Sequence, residues 1–193
     1  MRGPLKLNLG CGYRKLDGWV NADKYPDSKP DLLLDLEALP WPFADNSATH
    51  VDLSHVLEHV GQDPSQFLRL MQELWRVCAP GAQVQIRVPH PRHDDFLGDP
   101  THVRPIMPTT LQAFDQALNR EALAAGLGST PLGLQLGIDF QIVSLEYMPD
   151  PRWKQKLDAG QVTVQDLFEA SLAQNNVFVE LYFNCQAHKP ARG

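Results

Sequence analysis

The chain has 193 residues, of which 43% are hydrophobic and 21% charged, and its formal net charge at pH 7 is −6. That length favours one domain with a sizeable core. The acidic balance argues against a general nucleic-acid binder, which needs a basic surface to displace counterions from phosphates.

Three further patterns exclude other classes of protein. No apolar run is long enough to cross a membrane, and no apolar segment preceded by positive charge marks a signal peptide. The cysteines Cys11, Cys78 and Cys185 are far apart and odd in number, which excludes a disulfide framework or a CxxC-type zinc site. We therefore expect a cytoplasmic protein with no membrane partner.

Short apolar runs predict the strands of the first half of the chain. The predicted strands span 5–9, 19–22, 31–36, 51–56 and 83–88. Between the last two, residues 65–78 place apolar side chains at three- and four-residue spacing, which predicts a helix ended by Pro80 and Gly81.

The second half of the chain begins with a polar segment that lacks the apolar periodicity of the first half. Residues 90–108 are rich in His, Asp, Arg and Pro without a clear period, which indicates a long ordered loop. A helix is predicted from Thr109 or Thr110 to about Ala125, and a glycine-punctuated linker follows at 126–137. The remaining predictions are strands at 138–147 and 177–187, with a helix at 164–174 between them.

Strands that alternate with helices indicate a mostly parallel sheet. We predict a doubly wound, Rossmann-like α/β fold with a mostly parallel seven-stranded sheet and a terminal antiparallel strand pair. Residues 1–193 would form a single domain, with a substrate loop and helix inserted at about 90–137.

The first predicted strand ends in the turn LNLGCG, where Gly10 and Gly12 let backbone N–H groups approach a ligand closely. Asp23 follows the second strand, where a carboxylate can accept both hydroxyls of a ribose, and Asp35 follows the third. Each residue alone fits an ordinary turn or cap. Their placement at successive strand ends favours a ligand site, because ligands of such sheets collect at the carboxyl ends of strands.

These residues resemble those of the class I S-adenosylmethionine-dependent methyltransferases, of the methyltransferase type 11 kind. LNLGCG is similar to the glycine-rich first motif, Asp23 to the ribose-binding acid, and DLEALPWPFADNSATHVDLSHVLEHV to the third and fourth motifs. The resemblance is specific from Leu7 to Pro89. A dinucleotide-dependent dehydrogenase fits less well, because the third glycine is missing and the acid comes too soon.

The resemblance implies S-adenosylmethionine as the cofactor and assigns its contacts. Backbone around Gly10, Cys11 and Gly12 would face the methionine part, and Asp23 would hold the ribose. Asp35 would accept the adenine amino group beside Leu36, while Ser54 and His55 would lie near the amino acid moiety and the sulfonium. The short span from Gly12 to Asp23 departs from the family, so its usual first helix must be shortened or missing.

The loop HPRHDDFLGDPTHVRP follows the fifth strand, where a substrate would meet the methyl group. In the preferred interpretation it binds substrate and supplies a general base, because a hydroxyl acceptor must lose its proton. A divalent metal site at His90, His93 and Asp94 and a plain exposed loop are the alternatives, and no metal ligand is assigned. The predicted catalytic residues are His93, His102 and His90; the predicted substrate-binding residues are Asp99, Arg104 and Glu58.

The sequence thus predicts a methyltransferase that acts on a small molecule or carbohydrate, with O-methylation by a His or Asp general base. The alternative is a non-catalytic cofactor-binding or assembly module with the same fold. Methylation of nucleic acid or protein is a weaker option, because the residues after the fourth strand read Ser54-His55-Val56-Leu57 rather than an N/D-P-P-Y motif. We expect a small-molecule or glycan acceptor and no nucleic-acid partner, with a homodimer as the oligomeric state to test.

Overall fold

A seven-stranded sheet runs through the protein, whose computed structural model describes residues 4–192. The strands in chain order are β1 (Leu5–Leu9), β2 (Val20–Asp23), β3 (Leu32–Leu33), β4 (Ala48–Ser54), β5 (Cys78–Pro89), β6 (Phe140–Pro149) and β7 (Phe178–Ala187). Their order across the sheet is β3-β2-β1-β4-β5-β7-β6. Pairing is parallel from β3 to β5, and β7 is antiparallel to both β5 and β6. The predicted fold class, with its terminal antiparallel pair, is confirmed.

Seven α-helices connect or follow these strands in the described part of the chain. They are α1 (Pro64–Val77), α2 (Asp94–Leu97), α3 (Pro108–Gln112), α4 (Gln116–Ala124), α5 (Leu132–Leu136), α6 (Pro151–Asp158) and α7 (Val164–Ala173). The helices predicted at 65–78 and 164–174 correspond to α1 and α7. Among residues 4–192 no helix has the length and apolar character needed to span a bilayer.

The helix predicted from residue 109 to residue 125 is instead two helices, α3 and α4. Asp115 lies between them in an extended conformation, and its Oδ1 accepts hydrogen bonds from the N–H groups of Ala117 and Leu118. This N-cap starts a new helix and interrupts the old one. The predicted loop and linker also contain the short helices α2 and α5, and α6 forms where the sequence indicated only a small basic patch.

No helix separates β1 from β2, which confirms the missing first helix. The connecting loop is tied down by polar contacts instead: Asn8 Nδ2 donates to the Arg14 carbonyl at 2.8 Å, and the Arg14 guanidinium pairs with Asp52 at 3.0 Å. The cofactor edge of the sheet is therefore bordered by a loop.

The two faces of the sheet differ in chemistry. One carries the apolar core, in which Leu7, Val51 and Val84 lie side by side across β1, β4 and β5 and α1 packs against them. The other carries polar rows, because the register aligns a polar residue of each strand with a polar residue of the next. One such row consists of Asn8, Asp52, Gln85, Asn184 and Ser144. Parallel sheets are usually covered by helices on both faces, so this polar face is a distinctive feature of the chain.

Candidate functional site

A cavity of about 470 Å³ opens at the carboxyl edge of the parallel strands. Its walls come from the segments that follow β1, β2, β3 and β4, together with Val60 and Thr101. The cavity wall combines apolar and charged surface. Leu34, Leu36 and Val56 supply apolar surface, and other lining residues supply acidic and basic groups. The volume lies within the usual range for small-molecule and cofactor sites.

The turn after β1 requires glycine at two positions. Gly10 has φ +66°, and a Cβ there would lie 2.5 Å from Cγ2 of Val56. Gly12 has φ +47°, and a Cβ there would meet no atom within 4 Å. Gly10 thus lets β1 pack against the segment after β4, while Gly12 leaves its side of the cavity open.

Asp23 at the end of β2 organises the neighbouring backbone. Its Oδ2 accepts a hydrogen bond from the Gly12 N–H at 2.7 Å, and its Oδ1 accepts one from the Tyr25 N–H at 2.8 Å. The side chain is buried but lines the cavity. Each carboxylate oxygen keeps a further lone pair, so Asp23 can still accept hydrogen bonds from a pair of hydroxyls.

The segment after β3 forms the opposite wall. Asp35 Oδ1 accepts a hydrogen bond from the Glu37 N–H at 3.0 Å, which holds the carboxylate at the wall, and Leu36 is buried beside it. Glu37 in turn accepts the Gly61 N–H at 2.7 Å. This last contact ties the wall to the segment that precedes α1.

Of the eight residues predicted to contact the cofactor, six line this cavity, namely Gly10, Gly12, Asp23, Asp35, Leu36 and His55. The other two do not. The Cys11 side chain is buried, and its N–H donates to the Ala22 carbonyl at 3.0 Å. Ser54 is aligned with Arg87 in the register of β4 and β5.

His55 follows β4 with φ +56°, a left-handed conformation that is uncommon for a residue with a side chain. Its Nε2 lies 2.8 Å from Oε1 of Glu180 on β7, and its Nδ1 lies 3.4 Å from Oε1 of Glu58. The hydrogen bond to Glu180, reinforced by Glu58, raises the pKa of His55 to about 9. Strained backbone of this kind concentrates at functional sites.

A cluster of imidazole and carboxyl groups lies at the rim of the cavity. Glu58 is fully buried, and the rings of His59 and His102 are 4.6 Å apart between centroids. Thr101 Oγ1 donates to Asp99 at 2.6 Å and lies 3.0 Å from Nδ1 of His59. The predicted residues Glu58, Asp99 and His102 are therefore brought together.

The other two predicted bases lie elsewhere and have partners. His93 Nδ1 accepts the Asp95 N–H at 3.1 Å, and its Nε2 lies 3.2 Å from Asp150, so His93 caps α2. His90 Nδ1 accepts the Arg92 N–H at 3.2 Å. Neither residue lines the cavity.

Arg104, predicted to bind substrate, also lies apart from this cavity. Its guanidinium lies 4.0 Å from the ring centroid of Phe67 and donates to the Val60 carbonyl at 3.1 Å. It borders a second, largely apolar cavity of about 670 Å³ beside α3 and α4. Burial there lowers the pKa of Arg104.

His59, Glu180 and Thr101 belong to the site but were not among the predicted residues, and the last two show why. Glu180 carries the strongest contact to His55, but it lies on a late strand, and no local motif marks it. Thr101 lies inside the predicted loop, where only its spacing from Asp99 and His102 could have drawn attention. Both act through contacts between residues far apart in the sequence.

A family model described as a methyltransferase domain matches residues 19–86. Comparison with curated proteins found no significant sequence match. Among solved structures, a SAM-dependent methyltransferase from Archaeoglobus fulgidus is similar, with 20% identity and a TM-score of 0.60 over 96% of this chain and 86% of that one. The [4+2]-cyclase SpnF is similar over 96% of this chain and 76% of that one, with 16% identity and a TM-score of 0.54.

One prediction about partners is wrong. A 16S rRNA (adenine(1408)-N(1))-methyltransferase from Catenulisporales acidiphilia has a similar structure, with 15% identity and a TM-score of 0.48 over 99% of this chain and 88% of that one. The acidic composition of the whole chain is not sufficient to exclude nucleic acid as a partner. A net charge describes the whole surface, whereas an acceptor contacts one part of it.

The segment that matches the family model contains several residues of the site. Residues 19–86 include Asp23, Asp35, His55 and Glu58, which lie at or beside the cavity. S-adenosylmethionine is the cofactor that this family binds. The resemblance identified in the sequence is thus confirmed: residues 19–86 match a methyltransferase-domain family, and the chain shares the fold of S-adenosylmethionine-dependent methyltransferases.

Proposed function

We propose that this protein transfers a methyl group from S-adenosylmethionine to a hydroxyl oxygen of a small molecule or carbohydrate. One observation carries the proposal. The glycine turn and the acids after β2 and β3 surround a single cavity whose rim holds imidazole and carboxyl groups.

The residues around the cavity fit the cofactor. Asp23 keeps lone pairs that would accept from the ribose hydroxyls, Asp35 would accept from the adenine amino group, and Leu36 would offer an apolar surface to the ring. The open side at Gly12 leaves room for the methionine part. The bound cofactor supplies an electrophilic methyl group on its sulfonium, for in-line attack by the acceptor.

The rim cluster suits a hydroxyl acceptor, which must be oriented and must lose its proton. Of the three predicted bases, His102 is the one beside the cavity, and its Nδ1 is engaged by the Phe96 carbonyl at 2.8 Å. Because a carbonyl only accepts, Nδ1 carries the proton and Nε2 has a free lone pair. We assign Asp99 and Glu58, with His102, to the acceptor side of the site.

Binding of S-adenosylhomocysteine, measured by calorimetry, tests the cofactor assignment. Asp23→Ala should weaken binding by roughly 2 kcal/mol, about 30-fold, because charge-assisted hydrogen bonds to the ribose are lost. Asp23→Asn should also weaken it while keeping the size of the side chain. Asp27→Ala is the matched control, since Asp27 is exposed on the adjoining short 3-10 helix.

Equal affinity in the wild type and both Asp23 variants would refute the ribose assignment. Turnover is tested separately, by incubating the protein with methyl-labelled cofactor and metabolite or glycan fractions. A labelled ether product supports the proposal. Cofactor binding without any labelled product would favour the non-catalytic module instead, an outcome that the cyclase with this fold makes worth testing.

A further inference from the structure

The carboxylate of Glu58 lies in an unusual environment. The side chain is 0% exposed, and neither oxygen has a hydrogen-bond partner among the described residues. His55 approaches Oε1 at 3.4 Å, but it is held more closely by Glu180 at 2.8 Å, and Oε2 is left with nothing. His55 compensates the charge at Oε1 only in part, and burying Oε2 without a partner remains costly, a cost that a bound cation would offset.

Two histidines, His59 and His102, lie beside this carboxylate. One potential ligand atom from each of Glu58, His59 and His102 lies within 4.8 Å of the other two. Such a separation is small enough for three groups to contact one ion. The three residues come from the segment after β4 and from the loop after α2, so only the folded chain brings them together.

The hydrogen bonds of both imidazoles are made by Nδ1, and the carboxylate nearest to Nε2 of His102, Asp99 Oδ2, lies 3.8 Å away, beyond hydrogen-bond distance. Thr101 Oγ1 donates its proton to Asp99, so towards His59 it can act only as an acceptor, and Nδ1 of His59 carries the hydrogen. The Phe96 carbonyl has the same effect on Nδ1 of His102. Hydrogen bonds of this kind, from the distal ring nitrogen to an oxygen, orient the histidine ligands of metal ions.

We propose that Glu58, His59 and His102 bind a divalent transition-metal ion. Two imidazoles and one carboxylate suit Zn²⁺, Fe²⁺, Mn²⁺ or Co²⁺ better than Mg²⁺, which prefers oxygen ligands. Three protein ligands leave coordination positions open. Because His59 and Thr101 line the cofactor cavity, an open position can face it.

The ion would act on the acceptor, and this part rests on the proposed function. A hydroxyl oxygen bound at an open position becomes more acidic and releases its proton to water. The resulting oxygen anion is the nucleophile. His102 would then serve as a ligand and would not itself accept the proton.

Co²⁺ titration of the metal-free protein, followed by visible absorption and calorimetry, tests the site without any methyl transfer. We expect one Co²⁺ per chain in the wild type. His59→Gln and His102→Gln should each weaken binding by about 100-fold or more. Thr101→Val removes only the orienting hydroxyl and should weaken binding by about 10- to 100-fold.

His50→Gln is the matched control, because His50 is on β4 but pairs with Lys6 and Gln83 on the polar face of the sheet. It should bind Co²⁺ as the wild type does. Thr101 is exposed, so its variant should fold even if a histidine variant does not. The proposal is overturned if the wild type binds no Co²⁺ at millimolar concentration, or if the folded variants bind it unchanged.

Titration of the metal-free protein with S-adenosylhomocysteine separates this inference from the proposed function. Binding of the cofactor product without binding of Co²⁺ overturns the metal site alone. Binding of Co²⁺ without binding of the cofactor product overturns the proposed function and leaves the metal site standing.

Discussion

Asp23 accepts hydrogen bonds from the Gly12 and Tyr25 N–H groups with its two carboxylate oxygens, and the residue lines the cavity. Its place could be predicted because it depends on local order alone: an acid directly after a short buried strand lies at the carboxyl edge of the sheet. The same reasoning located Asp35. Residues whose roles follow from strand ends are therefore accessible to sequence analysis.

The histidines show the opposite case. Three were predicted as bases from one loop, yet His93 caps α2 and contacts Asp150, whereas His102 lies against His59. Their spacing in the loop does not reveal which ring nitrogen has a partner, because those partners come from distant segments. Glu180 escaped prediction for the same reason.

The lowered pKa of the buried His90 makes the stability of the protein depend on pH. It is buried against the rings of Tyr147 and Phe178, and this burial, with the charges of Arg92 and His93, lowers its pKa below the ordinary value of 6.5. The folded protein thus keeps His90 neutral, while the unfolded chain takes up a proton as the pH falls through about 6.5. Stability contributed by this difference is present above that pH and is lost below it.

Urea unfolding at pH 7.5 and pH 5.5 measures the effect. The free energy of unfolding of the wild type should fall by about 1 kcal/mol more than that of His90→Gln over this interval, since the variant has no group to protonate. Comparing the two proteins cancels the titration of other groups. The same fall in both would contradict the assignment of a neutral His90.

Two glycines in the loop between β1 and β2 allow the backbone role of a glycine to be tested separately from its role in the cavity. Gly12 and Gly18 both have positive φ, +47° and +77°, and a Cβ at either would meet nothing within 4 Å. Only Gly12 lines the cavity. Alanine at either position should therefore carry a similar backbone cost of about 1–2 kcal/mol.

Binding should distinguish the two variants. Gly12→Ala should weaken the binding of S-adenosylhomocysteine by at least about tenfold, or about 1.4 kcal/mol, because a methyl group enters the space for the methionine part. Gly18→Ala should bind as the wild type does. Calorimetry gives the affinities and thermal unfolding gives the backbone cost; equal affinities would place the methionine part elsewhere.

Elements were predicted well where a single periodic signal was strong. The predicted bounds of α1, β1, β2 and β7 are nearly those observed, whereas β3 is limited to Leu32–Leu33 and β5 begins already at Cys78. The helix at 109–125 was divided by Asp115, whose capping role competes with helix continuation, and α6 begins after the N-cap Asp150 in a segment with no buried residue to mark it. The periodicity of apolar residues reveals neither N-cap residues nor helices that bury no side chain.

At the scale of the molecule, the sheet order brings the ends of β1, β2, β3 and β4 to one edge, and this convergence makes a site from residues that are distant in the sequence. The fold class was predictable from the alternation of elements. The polar rows on one face were harder to anticipate, because they become visible only when the register of neighbouring strands is known.

The same architecture occurs in a methyltransferase and in a cyclase, so the fold alone does not select the reaction. In this chain the selection would come from the cavity and its rim. In the proposed function, the acids that follow β2 and β3 would face the cofactor, and Glu58, His59 and His102 would face the acceptor.

A crystal structure of the protein with S-adenosylhomocysteine bound tests the central claim most directly. We predict that the ribose hydroxyls contact Asp23, the adenine lies between Asp35 and Leu36, and the sulfur faces the rim cluster beside His55. Binding of the product in the cavity beside α3 and α4, or with its adenosine away from Asp23 and Asp35, would contradict the account.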